Sequence, residues 1–272
     1  MKVDLIFNCY EKTYARVLDK SFIKSIVNQN KISFENIFIV INNVKNKKIV
    51  QNIAEKLKKD GDIANFFRVE DYLPKVLQQC NIEEKDIKAL RHYVDRALVC
   101  AYIAKSEYFV HRDSDVYLET SIDWIAPCIE EMNKNKNILI ANPLRKEYKV
   151  EGKFWYKESR NFYYSYGFSD QLYLARKYDL LKDIYRYTHI YTSRFPLYPI
   201  GKTFEAMIDA YMRKESKTRL VFKNTIYVHE LGKGSPYPKY SFFQYIKRIS
   251  MFLIRNIYCK LGYRHNSNTT YL

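Results

Sequence analysis

Glycine and proline are scarce, with seven of each in 272 residues. That excludes collagen-like and low-complexity architectures. Cysteine is sparse too: Cys9, Cys80, Cys100, Cys128 and Cys259, an odd set in which no two share a CxxC spacing. A disulfide or zinc framework is therefore not expected, and a reducing compartment is. No apolar run approaches the roughly 18 residues needed to span a bilayer. The opening Met-Lys-Val-Asp-Leu-Ile-Phe-Asn has too short an apolar run, and too early an acid, for a signal peptide. After Glu230 there is no Asp or Glu at all.

What is present is a large apolar fraction and an excess of positive charge. Hydrophobic residues make up 47% of the chain, and 26 Tyr and 16 Phe bring aromatics to 16%. That is enough to bury a full core, which excludes wholesale disorder. Lys and Arg total 46 against 30 Asp and Glu, a net charge of +16. Such an excess points to an anionic partner: nucleic acid, an anionic membrane surface or a phosphorylated ligand.

Hydrophobic spacing predicts strands at Val3–Phe7, Asn36–Ile41 and Ala64–Val69, alternating with helices at Thr13–Asn28 and Lys47–Lys59. Strand-helix alternation implies a largely parallel sheet with helices on its faces. The clearest helical stripe covers Glu84–Lys105. It leads into a short apolar strand, Tyr-Phe-Val-His-Arg, that ends in Asp113-Ser114-Asp115. A helix is expected at Ile122–Met132 and a strand at Ile138–Ala141, then loop and irregular structure over Asn142–Tyr166. A strand running into a helix at Leu172–Leu181, a helix at Thr203–Arg213 and a late strand at Arg219–His229 follow. The division expected is a domain over 1–237 and a tail over 238–272. The tail alternates Lys and Arg with Phe, Ile and Leu, the pattern of a basic amphipathic helix that could lie on a membrane surface or pack on the domain.

Four groups of residues could carry chemistry. Asp113 and Asp115 close a buried strand, and ligands of open α/β sheets bind beyond the carboxyl ends of strands. Two carboxylates there can hold Mg²⁺ or Mn²⁺, which take one or two carboxylates plus substrate phosphates. The alternative is a solvated turn. After the late strand come His229-Glu230-Leu231-Gly232-Lys233-Gly234. The His can complete a divalent site, the glycines admit phosphate to backbone N–H groups, and Lys233 adds a point charge. A structural His before a Gly-Pro turn is the competing reading. Ser169-Asp170-Gln171 suits a polyhydroxylated ligand or serves as a cap. Glu205 and Asp209, four apart on one helix, are candidate general bases or a solvated face.

Taken in order, these parts resemble the GT-A fold nucleotide-sugar glycosyltransferases of the kind that build bacterial surface polysaccharides, over roughly Lys2 to Tyr237. The opening Leu5-Ile-Phe-Asn-Cys-Tyr-Glu11 is similar to that family's first strand and nucleotide-binding loop, and Asp113-Ser114-Asp115 to its DxD motif. The resemblance implies an α/β mixed, mostly parallel sheet flanked by helices, with the amphipathic tail appended. It implies metal-dependent, hexosyltransferase-like transfer to a glycan or lipid-linked acceptor, as in lipopolysaccharide or capsule synthesis. On it, Asp113, Asp115 and His229 would hold Mn²⁺ or Mg²⁺. Donor contacts would come from Asn8, Cys9, Tyr10, Asn42, Asn43, Arg91, Asp113, Ser114, Gln171, Gly232 and Lys233. If the transfer inverts, Glu205 would be the base, with Asp170 or Asp209 as second choice; a retaining transfer needs no base there, and the sequence leaves the two open. Asn stands at 42 and 43 where the family often has acids, and Ala206, not an acid, follows Glu205. The implied location is the cytoplasm, with peripheral contact at the inner face of the membrane. A nucleic-acid-binding protein is the main rival, favoured by charge and tyrosine content, but it lacks a helix-turn-helix, zinc or RNP-type signature. A dehalogenase-type phosphatase would carry its Asp pair near the start of the chain.

Overall fold

The structure is a computed structural model that describes residues 1–146, 156–230 and 239–260, with side chains to Tyr258. One ten-stranded sheet runs through it. Its strands are β1 (Val3–Cys9), β2 (Asn36–Ile41), β3 (Asn65–Arg68), β4 (Tyr108–Arg112), β5 (Val116–Leu118), β6 (Ile138–Arg145), β7 (Lys157–Glu158), β8 (Phe162–Ser165), β9 (Leu172–Arg176) and β10 (Thr218–His229). The order is β3-β2-β1-β4-β9-β6-β10-β8-β7, with β5 paired to the end of β10. Parallel pairing joins β3, β2, β1 and β4, and again β6 with β10; β9 is inserted antiparallel between the two blocks. The architecture is thus a mixed α/β sheet with a mostly parallel centre; the alternation leads one to expect the parallel part, and the resemblance the mixed sheet.

Helices cover both faces: α1 (Tyr14–Val17), α2 (Lys20–Asn30), α3 (Lys47–Lys59), α4 (Val69–Gln79), α5 (Glu84–Ile87), α6 (Asp95–Ile103), α7 (Ile125–Lys134), α8 (Lys177–Leu180), α9 (Phe204–Lys214) and α10 (Phe242–Lys260). The period of two along each strand sorts side chains into two cores. Val3, Leu5 and Phe7 of β1 face the layer of α2, α3 and α7. Ile6 of the same strand, with Phe38 and Val40 of β2, faces α4, α6, α8 and α9. Asp4 also points out of this buried strand. Its carboxylate accepts from the backbone N–H groups of Lys105 (2.6 Å) and Ser106 (2.8 Å), and so ties the loop after α6 to β1.

Several boundaries differ from the sequence expectation, each for a local reason. The helix expected over Thr13–Asn28 is two, because Asp19 accepts from the N–H of Phe22 (2.9 Å) and starts a new helix that runs to Asn30. The stripe over Glu84–Lys105 is broken into α5, a 3-10 turn over Lys88–Tyr93 kinked at Leu90, and α6. Val69 opens α4 rather than ending β3, and α4 carries Pro74 within it. The expected helix at Ile122–Met132 begins at Ile125, where the Asp123 carboxylate accepts from the N–H groups of Ile125 and Ala126. The segment read as loop over Asn142–Tyr166 contains the end of β6 as well as β7 and β8, while 147–155 lie outside the described residues. The expected domain boundary at 237 lies outside them too. No helix among the described residues is long and apolar enough to cross a membrane.

Candidate active site

Strand alternation and crossovers gather the chemistry at one edge of the sheet. β1, β2, β4 and β10 end there, β9 begins there, and α6 and α9 present their first turns. His111 of β4 and Asp113 just after it fall on the α6 side, while Arg112 points the opposite way, to Gln29 of α2. Asp113 then closes a turn onto β5, with the Val116 N–H 3.4 Å from its carbonyl, and its own N–H donates to the carbonyl of Gln171 (2.8 Å).

Arg96, in the first turn of α6, is the centre of the cluster. Its Nη2 donates to Asp113 Oδ2 and to Asp170 Oδ2, both at 3.1 Å. The three side chains are only 13–15% exposed, so these contacts are scarcely screened. Burial pushes the Asp113 carboxyl up. The Arg96 guanidinium and the His111 imidazole, 3.3 Å away, outweigh it and hold the group at about 2. The outcome reverses one step away. Burial and the Asp170 charge push Glu205 up to about 8, even though its Oε1 accepts from the Asp170 N–H at 3.2 Å. Asp170 is also raised, by burial first. The site thus pairs a firmly ionised Asp113 with a Glu205 that changes protonation near neutral pH, the usual mark of a residue placed for proton transfer.

Asp115 and His229 form a second pair. β5 lies antiparallel to the end of β10, and His229 Nε2 sits 3.2 Å from Asp115 Oδ2. That hydrogen bond raises the imidazole pKa. Tyr10, just after β1, has its phenol raised by burial and by the Asp115 and Asp113 charges, so it borders the same acids. Arg145, at the end of β6, adds positive charge to both Glu205 and His229.

A cleft of ≈ 310 Å³ adjoins the cluster, lined among others by Asn42, Asn43, Arg68, Arg91, His92 and Asp95. Asn42 is fixed there by its backbone N–H to the Cys9 carbonyl (2.7 Å) and its Nδ2 to Asp95 Oδ1 (3.0 Å). Asn43 adopts φ 49°, a left-handed value that Asn tolerates better than most residues. Asp95 precedes Arg96, so cleft and acid cluster share one helix turn.

The residues singled out in the sequence divide accordingly. Asp113, Asp115, Asp170, Glu205, His229 and Tyr10 meet at the acid cluster. Asn42, Asn43 and Arg91 meet in the cleft. Asn8 Nδ2 reaches Asp113 Oδ1 only at 3.5 Å, and its Oδ1 is buried without a partner, as are Ser114 Oγ and Gln171 Oε1. Burial limits two assignments. Cys9 is wholly buried with its thiol pushed up to about 12, so it offers a ligand only its backbone. Asp209 is no base: its carboxylate is fully enclosed, one oxygen 2.6 Å from Arg194 and the other 3.0 Å from Arg213. Gly232 and Lys233 lie outside the described residues. Sequence reasoning missed Arg96, His111 and Arg145. Arg96 carried a signal, as the one cation within the apolar run Ala97–Ile103 and its flank.

No protein-family model matches the chain, and no curated protein matches it. Solved structures do. The chain is similar to GalNAc-T7 with UDP, GalNAc and Mn²⁺ (11% identity, TM-score 0.47, 92% of this chain), spanning about half, 48%, of that protein's length. It is similar to glucosyl-3-phosphoglycerate synthase from Mycobacterium tuberculosis with Mg²⁺ and UDP (12%, TM-score 0.44, 93% of this chain and 79% of that one). It is also similar to the mannosyltransferase PcManGT from Pyrobaculum calidifontis with GDP-Man and Mn²⁺ (10%, TM-score 0.45, 96% and 64%).

Proposed function

We propose that this chain is a GT-A glycosyltransferase that moves a hexose-type sugar from a nucleotide-sugar donor to a glycan or lipid-linked acceptor. The setting we infer is bacterial surface polysaccharide synthesis, in the cytoplasm. One observation carries the reading: an Asp115–His229 pair, an arginine-bridged Asp113–Asp170 pair and a Glu205 poised near neutrality meet at the carboxyl edge of a mostly parallel sheet, beside a polar cleft.

Asp115 and His229 fit a divalent ion, since carboxylate and imidazole together suit Mn²⁺. Among the described residues no group of three or more His, Cys, Asp or Glu is arranged to hold an ion alone. The remaining ligands would therefore be donor phosphates. When bound, such an ion supplies Lewis-acid stabilisation of charge on the departing diphosphate.

The chain's own residues do the rest. The amides of Asn42 and Asn43 and the guanidinium groups of Arg68 and Arg91 suit a planar base with its donors and acceptors. Arg96 holds Asp113 ionised and Asp170 in place, and both carboxylates can accept from sugar hydroxyls. Glu205, once ionised, removes the proton from an acceptor hydroxyl; burial and the Asp170 charge hold that ionisation back to about pH 8. With Glu205 as base the transfer inverts, so the anomeric configuration of the product tests its role.

The deciding experiment is turnover of UDP-, GDP-, CMP- and dTDP-sugars with Mn²⁺ or with chelator, run on the native chain and on Asp115→Ala. Release of nucleotide from one donor is expected, dependent on metal and lost in the variant. Absence of both release and metal-dependent nucleotide binding overturns the reading, and salt-dependent oligonucleotide binding would then put the nucleic-acid reading first.

A further inference from the structure

We infer that α10 is a lipid-docking element that lays its free apolar face on an anionic membrane. Ser241 and Gln244 start the helix as a reciprocal cap: Gln244 Oε1 accepts from the Ser241 N–H (2.8 Å) and Ser241 Oγ from the Gln244 N–H (3.3 Å). From there α10 runs for 19 residues, about 28 Å.

One side of it is docked. Tyr258 packs edge-on against Tyr191, in the 3-10 turn Ile190–Arg194, with ring centroids 6.1 Å apart. Arg255 on the same side is buried. The opposite side is bare. Phe242, Ile246, Ile249, Leu253 and Ile257 recur every three or four residues and are 44–73% exposed, an apolar ridge that no described residue covers. Phe243, Phe252 and Ile254, 49–81% exposed, widen it to an arc of about 200° at 3.6 residues per turn. A ridge of this size on a folded surface marks an interaction site.

Charge chooses the occupant. At 3.6 residues per turn Lys247 borders the arc beside Ile254, and Arg248 borders it beside Phe252, so a cation stands at each margin. Lys247 reaches the Tyr198 ring at 5.4 Å, and Arg248 Nη1 donates to the Pro196 carbonyl at 3.2 Å, which fixes both at the seam between helix and domain. No acid occurs anywhere from 231 to 272. An apolar face edged by cations is the arrangement that settles at the headgroup boundary, with the positive margin level with anionic headgroups. A second copy of the helix would instead set Lys247 and Arg248 against their own kind with no acid to offset them. The inference does not depend on the transferase reading, and its test needs no catalysis.

The test is vesicle flotation of the full chain with phosphatidylcholine alone and with vesicles containing about one-third phosphatidylglycerol. It is run beside Ile249→Glu/Leu253→Glu, two exposed positions whose change should leave the thermal midpoint unaltered. Binding to the anionic vesicles, weakened by high salt and reduced at least tenfold in the variant, is expected. No binding to anionic vesicles, equal binding to neutral ones, or equal binding by the variant overturns the proposal. So does a lipid-free dimer, seen by light scattering, that the variant dissociates.

Discussion

Replacing Glu205 by Gln should stabilise the protein at alkaline pH while it slows transfer at least ~100-fold. Burial and the Asp170 charge raise the Glu205 carboxyl to about 8, whereas an unfolded chain releases that proton near 4.3. Below pH ~4 both states are protonated and the group has no effect on stability. Between ~4 and about 8 the unfolded chain has ionised and the folded one has not, so stability falls as pH rises, and it levels off above 8. At 1.36 kcal/mol per pH unit, the gap between about 8 and 4.3 corresponds to at most ~5 kcal/mol. Glu205 is half-buried, and discounting for its contact with water leaves about 3 kcal/mol. Gln keeps the acceptor for the Asp170 N–H (3.2 Å) and cannot ionise. Urea unfolding of the metal-free protein should therefore place variant and parent within ~1 kcal/mol at pH 5 and the variant ahead by about 3 kcal/mol at pH 9. In the turnover assay the variant should lose at least ~100-fold, the usual contribution of a general base. A stability difference that does not change between pH 5 and pH 9 would refute the placement of Glu205 beside Asp170 in a water-poor site.

Arg96→Met leaves Asp113 and Asp170 facing each other without their cation. We expect a loss of ~3 kcal/mol in urea unfolding at pH 7, less at pH 3 where the carboxylates protonate, and loss of donor turnover. Asp209→Ala removes the carboxylate that both buried arginines, Arg194 and Arg213, bond and should cost ~3–5 kcal/mol by the same measurement; a change below ~1 kcal/mol would contradict the enclosed triad. The thiols of Cys9, Cys80, Cys100 and Cys128 are buried, with Cys9 and Cys80 pushed up to about 12, so a thiol reagent should label these four only at the rate of unfolding.

Much of the architecture was legible because it is written in local periods. The short apolar runs of β1 and β2 and the stripe of α3 each need only neighbours in sequence to mark a buried strand or a buried helix face. The Asp113–Asp115 pair, His229 and Glu205 were legible for a related reason, as polar residues at the ends of apolar elements, where a sheet edge exposes them. What misled was competition within a segment. Asp19 caps a second helix where a continuous stripe promised one, the Glu84–Lys105 stripe kinks at Leu90, and short strands hide in the tyrosine-rich stretch before Ser165.

Only the tertiary structure decided which polar groups meet and in what charge state. Arg96 lies 17 residues before Asp113 and 74 before Asp170, and its bridging role follows from α6 crossing the ends of β4 and β9. Glu205 and Asp209 look equivalent as residues four apart on one helix. Packing separates them: one reaches the site edge, where burial and a like charge raise its pKa, and the other is enclosed by two arginines that lower it. The sequence determined that α10 is basic and amphipathic. Which of its faces stays free was settled by Tyr258 packing on Tyr191 of the Ile190–Arg194 turn, with Arg255 buried on the same side, because a helical pattern fixes where the apolar arc lies but not what the helix packs against.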